Sequence, residues 1–191
     1  MLRRLVTVVF SVSLMASVAA GAGADAPRTV LDQTTGSTLV IATQAWTFAR
    51  EEPHLAAHAR DYVGLQAVEI NTAGKRSQFL AVFFWSTIDR RGDYAGATPR
   101  IELAVDDRRV LLSPGAATAR ELGISQWPLP PPGKAARLFV YPADATLLRQ
   151  IAASRIVTLR LPDDRDGDEE AMATWKDGRA ALKAFLAEIL D

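Results

Sequence analysis

The chain has 191 residues, of which 22 are basic, 22 are acidic and none is cysteine, and 49% of the residues are hydrophobic. This composition is typical of a folded globular protein and excludes a disordered one. Without cysteine there are no disulfides, thiolate zinc sites, iron–sulfur clusters or cysteine nucleophiles. Because the formal net charge is zero, we do not expect a dedicated nucleic-acid-binding protein, which is usually strongly basic.

Residues 1–24 have the pattern of a secretory signal peptide. Two arginines precede an apolar stretch at residues 5–20, and small residues follow at 22–24. Signal peptidase recognises this order of charge, apolar run and small side chains, so we expect cleavage near Ala24. The apolar stretch is short for a membrane span, and no second one of spanning length follows it. We therefore expect an exported mature chain without a membrane span.

Arginine greatly outnumbers lysine and alanine is abundant, a bias that we associate with GC-rich bacterial genomes. We therefore expect a bacterial protein that is periplasmic or secreted. Residues 25–191 show no internal repeat and no second domain boundary, which predicts a single domain. A chain of this length can bury about 70% of its unfolded surface, enough to fold without disulfides or metals.

Five strands are predicted after a polar leader at residues 25–37. They cover residues 38–48, 62–70, 78–87, 100–105 and 108–112. A polar connection containing Gly and Asn separates the second strand from the third, and Asp106-Asp107 separates the last two, so both pairs are predicted hairpins. Residues 79–85 are apolar without interruption, which indicates a central strand with both faces covered.

Prolines and glycines are concentrated in residues 113–135, where they block regular strand pairing and predict a long surface connection. After it, strands are predicted at 137–141 and 155–161. A short helix between them begins at the capping residue Asp144 and ends near Ala153. The crossover is just long enough for these two strands to pair in parallel, and the sequence leaves that pairing open.

A long amphipathic helix is predicted from about Asp166 to Leu190. Asp166 and Glu169 match the capping-box spacing, and apolar residues recur at three- and four-residue steps. Gly178 lies on this apolar stripe, which predicts a close approach between the backbone and the sheet. The elements together predict an α+β fold, with an antiparallel-rich sheet of about seven strands and both helices packed on one face.

His54 and His58 are the only histidines. In a helical turn their spacing would place both imidazoles on one face, and Glu51, Glu52 or Asp61 could add an oxygen ligand for zinc or a similar divalent metal. The segment lacks the glutamate of the HExxH helix of metalloproteases. A surface turn with two solvated histidines is the alternative interpretation.

Alternating carboxylates around Gly167 resemble a calcium-binding loop, but the register of an EF-hand would place Pro162 and Ala173 at positions that require carboxylates. Helix capping explains the same acids. No Gly-x-Ser-x-Gly, Ser-x-x-Lys, P-loop or GxGxxG motif is present, so no catalytic residue and no cofactor is assigned. Residues 91–93 spell the adhesive tripeptide Arg-Gly-Asp, which we interpret as a plain turn.

Trp46, Trp85 and Trp175 lie in predicted elements, where large aromatic residues fill a core or line a ligand pocket. We expect an exported noncatalytic binding or envelope-accessory protein, whose partner is a small molecule or an envelope protein. One alternative is a metal-dependent enzyme using His54 and His58. Another is an interaction or inhibitor module that offers a sheet edge or the proline-rich connection to a partner.

Overall fold

The computed structural model describes residues 25–88, 99–115, 118–133, 135–162 and 171–190. Within these ranges the chain forms ten strands, two α-helices and one short 3₁₀ helix, and all strand pairs are antiparallel. The prediction of an antiparallel-rich α+β fold is confirmed at this level. The prediction of a single sheet of about seven strands did not include a second sheet: the described strands divide between a seven-stranded and a three-stranded sheet.

The elements are listed here in chain order. The strands are β1 (Arg28–Asp32), β2 (Ser37–Ile41), β3 (Trp46–Glu51), β4 (Arg60–Thr72), β5 (Lys75–Ser86), β6 (Ile101–Val105), β7 (Arg108–Leu112), β8 (Arg137–Pro142), β9 (Val157–Arg160) and β10 (Ala173–Lys176). The α-helices are α1 (Ala145–Ala153) and α2 (Arg179–Leu190).

The larger sheet is organised around β4, which pairs with β5 along its whole length. Its other edge pairs with both β3 and β2, which lie end to end. Four residues, 42–45, lie opposite only Gln66 and Ala67, so they bulge and divide the single strand predicted at 38–48. The leader also contributes a strand, because β1 pairs with β2. The outer strands β8 and β10 pair with β5 and β3.

The smaller sheet has β6 between β7 and β9. An antiparallel bridge between Leu159 of β9 and Met172, which directly precedes β10, joins the two sheets. Both predicted hairpins are confirmed as β4–β5 and β6–β7. The parallel pairing that the sequence left open does not form, because β8 pairs with β5 and β9 with β6.

Two hydrophobic cores lie on opposite faces of β4 and β5. The main core contains Leu80, Val82 and Phe84 of β5 together with residues of both helices and of the smaller sheet. The second core contains Ala81 and Phe83 of the same strand. The prediction that residues 79–85 form a strand covered on both faces is therefore confirmed.

The proline-rich connection covers the second core. Ile124 is buried there, and Trp127 and Leu129 pack against it. The described part of residues 113–135 contains one 3₁₀ helix, Arg120–Leu122, and no strand, in agreement with the prediction. The Ser125 backbone N–H donates to the Asp32 carboxylate, which fixes the connection to the end of β1.

The first α-helix is confirmed close to its predicted bounds. The Asp144 carboxylate accepts a hydrogen bond from the Leu147 backbone N–H at 2.7 Å, as expected of an N-cap. Leu148 and Ile151 contribute to the main core. Neither this helix nor the other in the described ranges has the length and hydropathy needed to cross a membrane.

The start predicted for the C-terminal helix is wrong. Residues 173–176 form β10, which pairs with β3, and α2 begins only at Arg179. The Asp177 carboxylate accepts a hydrogen bond from the Arg179 backbone N–H at 2.8 Å, so it caps the start of the helix. Strand pairing therefore overrides the helical spacing of Met172 and Trp175. The predicted signal peptide, the Arg-Gly-Asp tripeptide and the acidic run at 163–170 lie outside the described residues.

Candidate functional site

An aromatic cluster of Tyr62, Trp85 and Trp175 lies on the outer face of the larger sheet, at one side of the second core. Tyr62 and Trp85 are register partners on β4 and β5. Their rings stack with centroids 5.2 Å apart and planes 8° from parallel. Tyr62 also meets Trp175 in an edge contact at 6.0 Å and 75°. Three different strands thus place one ring each in a continuous row.

Gly64 makes room for this arrangement. A β-carbon on Gly64 would lie 3.1 Å from Cζ3 of Trp85, so the indole ring covers the glycine. Glycine within a strand often marks such a close approach by a neighbouring group. Trp85 also packs against the second core, which fixes one end of the row.

Trp175 is the most exposed ring of the cluster, with 57% of its surface accessible. A register shift between Thr174 and Lys176 interrupts the regular pairing of β10 at this residue. The Arg60 guanidinium lies 4.6 Å from the centroid of the indole ring. Trp175 therefore has a cation over its ring and a T-shaped contact with Tyr62, and this exposed side chain is held by two neighbours.

Arg60 is in turn held by Glu51, its register partner on β3. The guanidinium donates to the Glu51 carboxylate at 2.5 Å. This hydrogen bond lowers the pKa of the Glu51 carboxyl and raises the pKa of the Arg60 guanidinium. Both groups are charged at neutral pH, and their charges cancel beside the exposed ring.

The predicted histidine site takes a different form. Residues 53–58 form turns between β3 and β4 instead of a helix, and both His54 and His58 are exposed. His58 has a φ of 64°, in the left-handed region that ends a helical turn. The helical turn on which a shared face depended does not form, and an exposed turn that carries both histidines is the geometry of the alternative interpretation.

Of the three proposed oxygen donors, Glu52 approaches a histidine. Its Oε2 atom lies 3.5 Å from Nδ1 of His54, while its Oε1 atom accepts from Nε of Arg50 at 2.6 Å. Asp61 is buried as the register partner of Arg50. Among the described residues, no group of three or more His, Asp or Glu side chains could hold a metal ion.

The three tryptophans singled out in the sequence occupy different environments. Trp46 is buried in the main core, where its Nε1 donates to Oγ1 of Thr174 at 3.2 Å. Trp85 is half-buried and Trp175 is exposed. Sequence reasoning missed Tyr62 and Arg60 as members of the site. The hairpin supplied a usable signal, because a turn centred on residues 73–74 fixes the register that pairs Tyr62 with Trp85.

Comparison with known proteins supplies no relative. No protein family model, no curated protein and no solved structure matches this chain. The geometry of the aromatic cluster therefore carries the functional argument.

Proposed function

We propose that this protein is an exported, noncatalytic binding protein of the bacterial envelope and that it binds through the aromatic cluster. The proposal rests on one observation: the Trp175 side chain is exposed, yet contacts with Arg60 and Tyr62 hold it in place. A rigid aromatic side chain offers a large contact area and loses little conformational entropy on binding. Tryptophan, tyrosine and arginine are also the residues that most often dominate binding energies.

The groups around the ring are suited to recognition rather than to proton transfer. A general acid or base works best when its pKa lies near the operating pH. The hydrogen bond from Arg60 moves the pKa of Glu51 away from neutrality. The ion pair instead offers a fixed donor and a fixed acceptor beside an apolar ring, a combination that orients a bound ligand.

The proposed export depends on the sequence pattern of residues 1–24. Mass spectrometry of the protein from the periplasmic fraction of its source bacterium tests this part. We expect a mature chain that begins near Asp25. A chain that retains the arginines at positions 3 and 4 would contradict cleavage at this site.

Binding is tested with purified protein and the washed envelope fraction of its source. We expect the protein to sediment with the fraction, and we expect Trp175→Ala to lose most of this binding. Leu31→Ala is a matched control, because Leu31 is a similarly exposed apolar residue, with 60% of its surface accessible, on β1 at the far end of β4 from Tyr62. Equal binding by both variants would contradict the proposal.

A metal-dependent enzyme is the second candidate, and the contact between Glu52 and His54 favours it. A carboxylate and an imidazole are both common zinc ligands. Native mass spectrometry of the protein with and without zinc tests this candidate. One bound zinc per chain that is lost in the His54→Ala/His58→Ala variant would support it. Equal zinc content in both proteins would exclude this site.

An interaction module is the third candidate. Pro130, Pro131 and Pro132 are exposed, whereas Trp127 and Leu129 on the same segment pack against the second core. The prolines could present a polyproline helix to a partner. Replacing the three prolines by alanine leaves the packed residues in place, so loss of a partner in that variant would favour this candidate over the aromatic cluster.

A further inference from the structure

We infer that this protein forms a symmetric dimer in which the β1 strands of two copies pair with each other in an antiparallel arrangement. The inference goes beyond the proposed binding function and does not depend on it. It follows from three properties of β1 (Arg28–Asp32): its outer edge is open, one register with itself keeps the whole strand paired, and its charges match in that register. The pairing would join two seven-stranded sheets into one continuous sheet.

The direction of the backbone groups in β2 shows how β1 is paired. The Ala42 N–H donates to the Ala67 carbonyl at 2.9 Å, so the backbone groups of Ala42 point at β4. Along an antiparallel strand these groups alternate between the two neighbouring strands. The backbone groups of Leu39 and Ile41 therefore point away from β4, at β1.

The same alternation identifies the groups at the outer edge of β1. Val30 is the register partner of Leu39, so its N–H and C=O point at β2. The N–H and C=O groups of Thr29 and Leu31 then point away from the sheet. Among the described residues, β1 pairs with β2 alone and these groups have no hydrogen-bond partner. Such an edge is a template for pairing with another strand.

The neighbours of β1 select one register. When two copies of β1 pair symmetrically through their outward groups, the twofold axis passes through Thr29, Val30 or Leu31. An axis at Thr29 would pair Leu31 with Pro27, which has no N–H to donate. An axis at Leu31 would pair Thr29 with Gln33, which lies in the turn after the strand. An axis at Val30 pairs Thr29 with the partner's Leu31 and keeps all five residues paired.

The charges of β1 match in this register, because Arg28 lies opposite the partner's Asp32. Both side chains share the face of β1 that carries the proline-rich connection, where Arg28 donates to the Pro128 carbonyl at 3.0 Å and Asp32 accepts from the Ser125 N–H. A guanidinium has further donors, and each carboxylate oxygen accepts a second hydrogen bond. Opposite charges on facing residues stabilise a strand pair.

The edge strand β7 lacks this complementarity. It ends the strand order of the smaller sheet, and it contains Arg108 and Arg109 but no acidic residue. Pairing of two β7 strands would bring arginines of both copies together without a carboxylate on either strand. Like charges across a strand pair are destabilising, and charged residues commonly protect a sheet edge in this way. The charges therefore favour β1 as the edge that pairs with itself.

Sedimentation velocity of the purified protein from about 1 μM to about 1 mM tests the association. Two strands of five residues bury much less than the roughly 1,600 Å² of a standard interface, so we expect a reversible dimer whose fraction rises with concentration. Arg28→Glu would place a carboxylate opposite the partner's Asp32, and we expect it to weaken the dimer about tenfold or more. Arg28→Lys keeps the positive charge and should still dimerise.

Two substitutions of Leu31 test the backbone pairing. Leu31→Pro removes an N–H that points away from β2, so the hydrogen bonds within the sheet remain and one to the partner is lost. We expect this variant to stay monomeric at concentrations at which the unmodified protein dimerises. Leu31→Ala keeps the N–H and should still dimerise. Circular dichroism and thermal unfolding establish that each variant is folded.

A cysteine crosslink tests the register. The protein has no cysteine, so Val30→Cys introduces a single thiol, which would lie at the twofold axis. Facing Cα atoms in a pair without mutual backbone hydrogen bonds are about 4.5 Å apart, within the range of a disulfide. We expect oxidation by glutathione disulfide to give a crosslinked dimer. In Thr29→Cys the two thiols would lie two positions out of register, so we expect little crosslinking.

Three outcomes would overturn the inference. A monomer at every concentration would leave the β1 edge to a strand of another protein. A dimer that is unchanged in both Arg28→Glu and Leu31→Pro would place the interface elsewhere. Crosslinking of Val30→Cys that is no more efficient than that of Thr29→Cys would show that the twofold axis does not pass through Val30. None of these outcomes bears on binding through Trp175, which is measured separately.

Discussion

Gly178 lies directly against the backbone of Trp46. A β-carbon on this glycine would be 2.6 Å from the Trp46 nitrogen and 2.8 Å from its Cα atom. These are main-chain atoms at the start of β3, so they cannot move aside as a flexible side chain would. We expect Gly178→Ala to lower the free energy of unfolding by about 1–3 kcal/mol, the usual cost of overpacking, and Gly178→Leu to lower it further. Urea denaturation measures the change.

Gly133 provides the matched control for this substitution. A β-carbon on Gly133 would have no atom within 4 Å. We expect Gly133→Ala to change the stability by less than about 0.5 kcal/mol, as is usual for surface substitutions. Equal stability of Gly178→Ala and the unmodified protein would show that β3 and the start of α2 can separate without cost.

The close contact at Gly178 was predictable from the sequence, but the element that carries it was not. A glycine among regularly spaced apolar residues indicates a tight approach whether it lies inside a helix or just before one. The spacing of Met172 and Trp175 fits a helix, yet both residues lie at β10, where pairing with β3 decides the conformation. The spacing of apolar residues within a segment contains no information about a strand that is distant in sequence, such as β3. The start of α2 could therefore not be predicted.

Asp32 gives a prediction about pH. Its carboxylate accepts a hydrogen bond from the Ser125 backbone N–H and further ones from Thr34 and Thr35. The bond from Ser125 is the main reason why the pKa of Asp32 falls from 3.8 to about 2. A carboxyl whose pKa is lower in the folded state stabilises that state above its unfolded pKa, and this contribution disappears as the pH falls through the folded pKa.

We therefore expect Asp32→Asn to reduce stability at neutral pH, and we expect its deficit to narrow as the pH falls from about 4 towards 2. Urea denaturation at several pH values measures this deficit, and carbon NMR of the carboxyl measures the pKa directly. Asp107→Asn, at an exposed aspartate in the β6–β7 turn, is the control. A deficit that stays constant down to pH 2 would show that the charge of Asp32 is not what stabilises the connection.

Arg76 links the β4–β5 hairpin to the C-terminal end of α2. Its Nε donates to the buried Glu69 carboxylate at 2.7 Å and its guanidinium donates to the Ile189 carbonyl at 2.7 Å. Arg76→Ala removes one of the two side chains that donate hydrogen bonds to the Glu69 carboxylate and leaves the one from Gln78. We expect a loss of about 1–3 kcal/mol, the cost of an incompletely satisfied buried polar group.

Arg76→Lys tests whether the two hydrogen bonds to Glu69 and Ile189 matter, or only the positive charge beside Glu69. One ammonium group lacks the planar fork that reaches both acceptors, so we expect lysine to restore only part of the stability. Hydrogen exchange in the last turn of α2 should remain faster in both variants than in the unmodified protein. Lys75→Ala, at an exposed neighbouring residue, is the control. Complete rescue by lysine would mean that the bond to Ile189 contributes nothing.

Part of the candidate site could be predicted from the sequence. Trp85 and Trp175 were recognised as residues that could line a binding site, but they lie 90 positions apart on β5 and β10. Their proximity depends on Tyr62, because β4 lies between β5 and β3, and β3 pairs with β10. This strand order is set by long-range packing rather than by local pattern. The spacing of His54 and His58, in contrast, is a local pattern. It would place both side chains on one face only in a helical turn, and the left-handed backbone conformation of His58 does not continue such a turn.

The position of Trp175 should depend on the cation above its ring. Arg60→Met keeps a long side chain but removes the guanidinium that lies 4.6 Å from the indole. We expect faster motion of the Trp175 side chain, measured by fluorescence anisotropy in a Trp46→Phe/Trp85→Phe/Trp127→Phe background that leaves Trp175 as the remaining tryptophan. If the ring contributes to binding, the affinity should fall about two- to fivefold, since an exposed cation–π contact is worth about 0.5–1 kcal/mol.

Glu51→Gln separates the ring contact from the ion pair, because it keeps Arg60 and removes its acidic partner. Unchanged anisotropy in Arg60→Met would mean that Tyr62 alone holds the ring, and the matching substitution Tyr62→Leu would then have to release it.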